Sequence, residues 1–265
     1  MTLADSAGSG NGQQQAAWTI TPVALGSRRA IWSWFNYLED RQEPILIAYH
    51  AWVISDGSRT ILVDTGPSVE EAQARGFEDM RSIVDVLPEH GIDPETIDTV
   101  ILTHLHWDHA SAAIAFPKAR FHVQQAEIDF FLKDAWDNPA TSRFFSHRKM
   151  LTYLVSSGRA VAVDGSAEPL PGIRLMKMGG HTPGSQIVVV ATRHGLEIIT
   201  GDLIPMNRNY TQAIPTGILV DLLAVVQGRK LIRAMRPYRI YTGHDPEQGL
   251  VCDAPESAGG STPGE

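Results

Sequence analysis

The stretch Thr99-Val100-Ile101-Leu102-Thr103-His104-Leu105-His106-Trp107-Asp108-His109 passes from a short apolar run straight into three histidines and an aspartate. The apolar part reads as a strand buried on both faces. Four candidate ligands within six residues cannot share one side of a strand, but a loop can splay them around two points. The pattern of an apolar strand ending in a potential ligand beside a small residue recurs. It is seen at Ile61 to Asp64-Thr65-Gly66, at Met178-Gly179-Gly180-His181, at Ile198 to Gly201-Asp202 and at Ile240 to Gly243-His244. Glycine there permits backbone angles barred to other residues and close approach of the chain.

Neutral imidazoles suit zinc, iron, nickel and copper, and carboxylates add harder donors. His104, His106, Asp108, His109, His181, Asp202 and His244 make seven candidate ligands. That is too many for one tetrahedral zinc. It fits two divalent ions, with one carboxylate bridging and a water completing each shell. Asp64 is expected to accept hydrogen bonds and orient a ligand histidine. His50, His90, His122, His147 and His194 stand alone and read as ordinary surface or core histidines.

Around these sites, strands are expected at 43–55 and 59–66, joined by a turn at Asp56-Gly57, and at 99–103, 119–124, 160–163, 173–178, 186–191, 196–201 and 239–243. Helices are expected over 68–90 with a break near Gly76, and over 125–132, 144–155 and 221–235. The interleaving predicts a layered α/β architecture. Residues 1–17 and 253–265 read as flexible tails around one domain, 18–252.

The 265 residues carry 22 Lys+Arg against 30 Asp+Glu, a net charge of −8. No broad basic surface is expected, and hence neither a nucleic acid nor a membrane as partner. Cys252 is the only cysteine, which excludes an intrachain disulfide and a Cys-rich zinc site. With no secretory signal and no run of eighteen apolar residues, a cytoplasmic location is expected.

The cluster His104-x-His106-x-Asp108-His109, followed by Gly180-His181-Thr182-Pro183-Gly184, Gly201-Asp202 and Gly243-His244, resembles the metallo-β-lactamase superfamily. The resemblance implies an αββα sandwich of two mixed sheets flanked by helices. It implies that His104, His106 and His181 hold one metal, that Asp108, His109 and His244 hold the other, and that Asp202 bridges. Within the superfamily the chain looks most like the N-acyl-homoserine lactone lactonases and 4-pyridoxolactonase. The implied reaction is opening of a small lactone by a hydroxide shared between two divalent ions, zinc by default. Asp108 then carries the proton to the leaving oxygen. A hydroxyacylglutathione-type thioester hydrolase and a mononuclear iron persulfide dioxygenase are the alternatives. The acyl-homoserine lactone lactonases carry a tyrosine three residues after the bridging aspartate, where Pro205 stands here; Tyr210 is nearby in sequence.

The substrate is expected to be a small-molecule lactone or ester. Three segments are candidates to meet it: the aromatic run Trp32 to Tyr37, Arg208 for an anionic group, and 130–159 as a helical cap. The last is equally a candidate contact in a homodimer.

Overall fold

The computed structural model describes residues 17–77, 79–145 and 147–252. The tails expected at 1–17 and 253–265 lie outside them, apart from Ala17. Among the described residues, twelve strands form two six-stranded sheets. The first is ordered β1 (Thr19–Ala30), β2 (Ile45–Ser55), β3 (Thr60–Val63), β4 (Thr99–Ile101), β5 (Arg120–Gln124), β6 (Ala160–Val163). Its first three strands are antiparallel and β3 to β6 run parallel. The second contains β7 (Ser166–Leu170), β8 (Ile173–Lys177), β9 (Gln186–Thr192), β10 (Gly195–Ile199), β11 (Arg239–Tyr241) and β12 (Leu250–Val251), in the order β12-β11-β10-β9-β8-β7. Only β10 and β11 are parallel there.

The period of two explains why these strands are apolar on both sides. Trp52, Ile54, Ile61 and Val63 face Leu175, Val188, Val190 and Ile199 between the sheets. Their neighbours Val53 and Leu62 point outward, into a core with Ile83, Leu87, Phe131 and Leu154 from the flanking helices. Ile187, Val189 and Ile198 meet Val225 and Ile232 of the helix Leu222–Ala234 on the far side. The result is four layers, helix–sheet–sheet–helix.

The structure redraws several expected boundaries. The helix expected over 68–90 is broken into Val69–Ala74, Ile83–Val86 and a 3-10 turn Leu87–His90. Gly76, with φ +78°, turns the chain away after the first piece. The helix expected from Phe144 starts at Arg148, because the Phe144 carbonyl accepts the Trp107 N–H at 2.9 Å. β1, β7 and β12 were not expected. β1 contains Pro22, Gly26 and few consecutive apolar residues, and it is tolerated because it is an edge strand with a register shift between Ala24 and Gly26. Among the described residues no helix is long and apolar enough to cross a membrane.

His50 on β2 is buried, with no hydrogen-bond partner for its Nδ1 among the described residues. Burial first, then the charges of His244 and His109, lower its pKa from 6.5 to about 4. The unfolded chain takes up this proton near pH 6.5, and the folded chain not until about pH 4. The stability it allows is therefore complete above pH 6.5 and is lost as pH falls toward 4, by roughly 2–3 kcal/mol. His50→Gln is expected to lack this step. Urea midpoints of the metal-free wild type and variant at pH 7 and 4.5 check it; parallel pH slopes contradict it.

Candidate metal centre

Convergence of the ligands follows from strand direction. β3 and β4 are parallel neighbours, so Asp64 and the 102–106 loop leave the same edge of the first sheet. β10 and β11 are parallel neighbours too, so Asp202 and His244 leave the same edge of the second. His181 comes from the turn between β8 and β9. The two edges are fastened together: Gln186 N–H donates to the Thr103 carbonyl at 2.9 Å, and Gln186 Nε2 to the Leu102 carbonyl at 2.8 Å.

All seven candidate ligands meet here. His104, His106, His181 and Asp202 form one group with ligand atoms within 4.8 Å of one another; Asp108, His109 and His244 form a second. The rings of His104, His106 and His181 stand 4.6–4.7 Å apart in a triangle. Asp202 reaches both groups. Its Oδ2 is 3.5 Å from His181 Nε2 and 3.2 Å from His244 Nε2, and its Oδ1 is 3.3 Å from His109 Nε2. Gly243 packs against this carboxylate so closely that a Cβ would collide with Oδ1.

Four of the five histidines engage the outer ring nitrogen and turn the other inward. His109 Nδ1 donates to Asp64 Oδ2 at 2.8 Å, His181 Nδ1 to the Ile218 carbonyl at 2.7 Å, and His244 Nδ1 to the Ala48 carbonyl at 2.9 Å. His104 Nδ1 lies 3.1 Å from Thr103 Oγ1. Such outer partners set the tautomer of a ligating imidazole. Inward, His104 Nε2, His109 Nε2 and Asp202 Oδ1 are buried and, apart from the 3.3 Å approach of the last two to each other, have no hydrogen-bond partner among the described residues. Buried polar atoms are almost always paired, and a cation between the two groups would satisfy all three. The residues therefore fit a divalent pair.

Burial holds His104 and His106 well below the usual imidazole range and lowers His181, which leaves lone pairs free. Burial pushes His109 and His244 the same way, but Asp202 together with Asp108, and for His109 also Asp64, outweighs it and holds both raised. Asp202 is in turn lowered well below the usual carboxylate range: burial opposes this, and His244 and His109 overcome it.

Asp64 sits behind the cluster, with φ +56°, accepting the Thr103 N–H and Oγ1–H at 2.7 Å each as well as His109. It thus orients a histidine, as expected of it. Asp64→Asn leaves one acceptor oxygen for three donors. It is expected to weaken divalent-ion binding about 10–100-fold, read by chelator competition; unchanged affinity would contradict that role.

A residue that the sequence reading passed over is Glu127. Fully buried, its Oε1 accepts the Leu105 N–H at 3.0 Å, and its Oε2 accepts Thr182 Oγ1–H at 2.6 Å and Gly184 N–H at 2.9 Å. Burial raises its pKa and the three donors oppose this. It ties the His104–His106 loop to the His181 loop. Its signal in the sequence is an acid at i−4 from Phe131, on the apolar side of the helix Gln125–Leu132.

A cavity of about 470 Å³ opens over the ligands. Trp34, Phe35, Tyr49, Phe77, Trp107 and Phe144 supply aromatic wall. The aromatic run 32–37 and the segment 130–159 thus each contribute to it. Tyr49 lies edge-on to His244, ring centroids 5.3 Å apart. Burial first, then Asp108, drives its phenol far above the usual range, so it stays a donor. Tyr210 and Arg208 are not in this wall. Tyr210 is packed with Ile204 and Val225, under Arg233. Arg208 lies over Trp32 and reaches Glu39 and Gln212.

The sequence profile of the metallo-beta-lactamase superfamily matches residues 46–244. The chain belongs to the metallo-β-lactamase superfamily. Its two mixed sheets flanked by helices are that superfamily's fold. An N-acyl homoserine lactonase of a Bacillus species is 25% identical over 240 residues, 88% of each chain. Among solved structures, an N-acyl homoserine lactone hydrolase with N-hexanoyl-L-homoserine at its catalytic metal centre superimposes with a TM-score of 0.72 at 22% identity. That match covers 86% of this chain and 93% of that one. AidC, a dizinc quorum-quenching lactonase, gives 0.69 at 18% identity, covering 90% and 92%.

Proposed function

We propose that this chain is a dinuclear metal-dependent hydrolase that opens the cyclic ester of a small molecule. The observation that supports it most is two ligand groups sharing Asp202 on the floor of an aromatic cavity. The Bacillus relative, a homoserine lactonase, points to the same bond type. His104, His106 and His181 would hold one ion, Asp108, His109 and His244 the other, with Asp202 between them. Zinc is the expected ion for this imidazole-rich set. When bound, such ions supply Lewis acidity toward an ester carbonyl and acidify water toward neutral pH.

The chain's own residues supply the rest. Trp34, Phe77, Trp107 and Phe144 exclude water and seat the apolar body of the substrate. Asp64, Ile218 and Ala48 hold three imidazoles in one tautomer. Asp108 is 3.5 Å from His244 through one oxygen and lines the cavity, which supports a role in passing a proton to the leaving alkoxide.

A hydrolysis panel of acyl-homoserine lactones, aromatic lactones, a thioester and a β-lactam, with metal quantified, tests this. Lactone opening with two ions per chain is expected. Failure on every lactone at full loading would sink it, and one ion per chain would favour the persulfide dioxygenase. Asp108→Asn is expected to lose about 10²–10⁴ in kcat, more than it loses in metal content. Equal losses would reduce Asp108 to a ligand.

A further inference from the structure

The chain carries a net charge of −8, yet the cavity wall holds three arginines, Arg28, Arg75 and Arg143. Among the described residues the carboxylates in that wall are Asp108 and Asp202, both turned to the histidines. Arg75 is accounted for. It pairs with Glu71 at 2.6 Å, donates to the Arg143 carbonyl at 3.0 Å and lies over Trp107. Arg28 is different. Its guanidinium lies 4.4 Å over the Phe77 ring and hydrogen-bonds the Tyr49 hydroxyl, and its Nε reaches the carbonyl of the next residue, Arg29, at 3.3 Å. Among the described residues no carboxylate pairs with Arg28 or Arg143.

Stacking on an aromatic ring uses the face of a guanidinium and leaves its five in-plane N–H groups for hydrogen bonds, of which the Arg29 carbonyl and the Tyr49 hydroxyl occupy only part. That fork matches a planar carboxylate. Half-buried beside aromatic walls, its donors gain less from water than those of a freely solvated side chain. An uncharged substrate filling the cavity would desolvate them without replacing what they lost.

We propose that the substrate carries a carboxylate in addition to the ester that is cleaved, and that Arg28, with Arg143 adding charge, binds it. This rests on the lactone-opening reading and names the class of lactone: one with an apolar body and an acidic arm.

The test pairs acyl-homoserine lactones ending in a carboxylate, from succinyl to adipyl, with methyl-ended acyl chains of the same length, on metal-replete enzyme at low salt. The carboxylate member is expected to have at least about tenfold higher kcat/KM at one or more lengths. In Arg28→Gln the carboxylate-to-neutral ratio should fall about 10–100-fold, mainly through KM, as loss of a charge-assisted bond implies. Arg28→Lys, which keeps the charge and loses the fork, should fall between. A wild type that prefers the neutral member at every length, or a ratio unchanged in Arg28→Gln, overturns the proposal. Calorimetry of the ring-opened hydroxy acids, with and without the terminal carboxylate, provides a readout free of turnover. Tighter binding of the dicarboxylate that is lost in Arg28→Gln supports the arginine site even if no lactone is opened, and equal binding refutes it. Absence of turnover on both series counts against the lactone reading alone.

Discussion

Asp202→Ala is expected to cost the chain its second ion and at least about a thousandfold in turnover, since a bound Lewis acid contributes several kcal/mol to such a reaction and each 1.4 kcal/mol is tenfold. The size follows from position. Asp202 is within 3.2–3.5 Å of three imidazoles drawn from both ligand groups. Removing it deletes the carboxylate that reaches both ligand groups and leaves His109 and His244, now raised by its charge, without that support. Elemental analysis should fall from two ions per chain toward one or fewer. Asp202→Asn, equal in shape but uncharged, separates charge from space: metal loss in both variants assigns the effect to the charge. Two bound ions with near-normal turnover in Asp202→Ala would remove the shared-ligand role.

The second large effect concerns stability. Glu127→Ala leaves the Leu105 and Gly184 N–H groups facing a void in the protein interior, while the Thr182 hydroxyl keeps Ser185 Oγ at 2.7 Å. An orphaned buried donor costs about 1–3 kcal/mol, so a loss of roughly 3–5 kcal/mol is expected. That is a large share of the 5–15 kcal/mol typical of a domain. Glu127→Gln keeps one acceptor oxygen and should fall between. Urea midpoints measure both. Because Glu127 joins the two loops that carry His104, His106 and His181, ion affinity should fall with stability in the same order of variants. A Glu127→Ala midpoint equal to wild type would mean that water takes over both N–H donors. The neighbouring Gly184 has no such latitude, since a Cβ there would run into the Glu127 backbone.

Much of this could be read without coordinates. The apolar run 99–103 declared itself as a doubly buried strand, and 186–191 as a strand, because side-chain alternation is local and apolar residues follow one another there. β1 did not, because an edge strand with a proline and a bulge needs little hydrophobic pattern. At the site, residue types at strand ends named the seven ligand candidates. The same reasoning nominated Arg208 and Tyr210 by closeness in sequence to Asp202, and both turned out to lie outside the cavity wall. One helical turn, Asn207–Thr211, is enough to point them elsewhere.

The amino-acid order alone determined which side chains have the chemistry to bind a cation and which segments must be buried, because these are properties of single residues and of short periodic windows. Tertiary structure alone decided which atoms meet. The parallel pairing of β3 with β4 and of β10 with β11 sets four chain segments side by side, and packing of the sheets brings Asp202 between the two histidine groups, Glu127 beneath their loops and Arg28 into the mouth of the cavity. Such meetings depend on strand direction and register over a hundred residues or more of chain, and no local pattern carries that information.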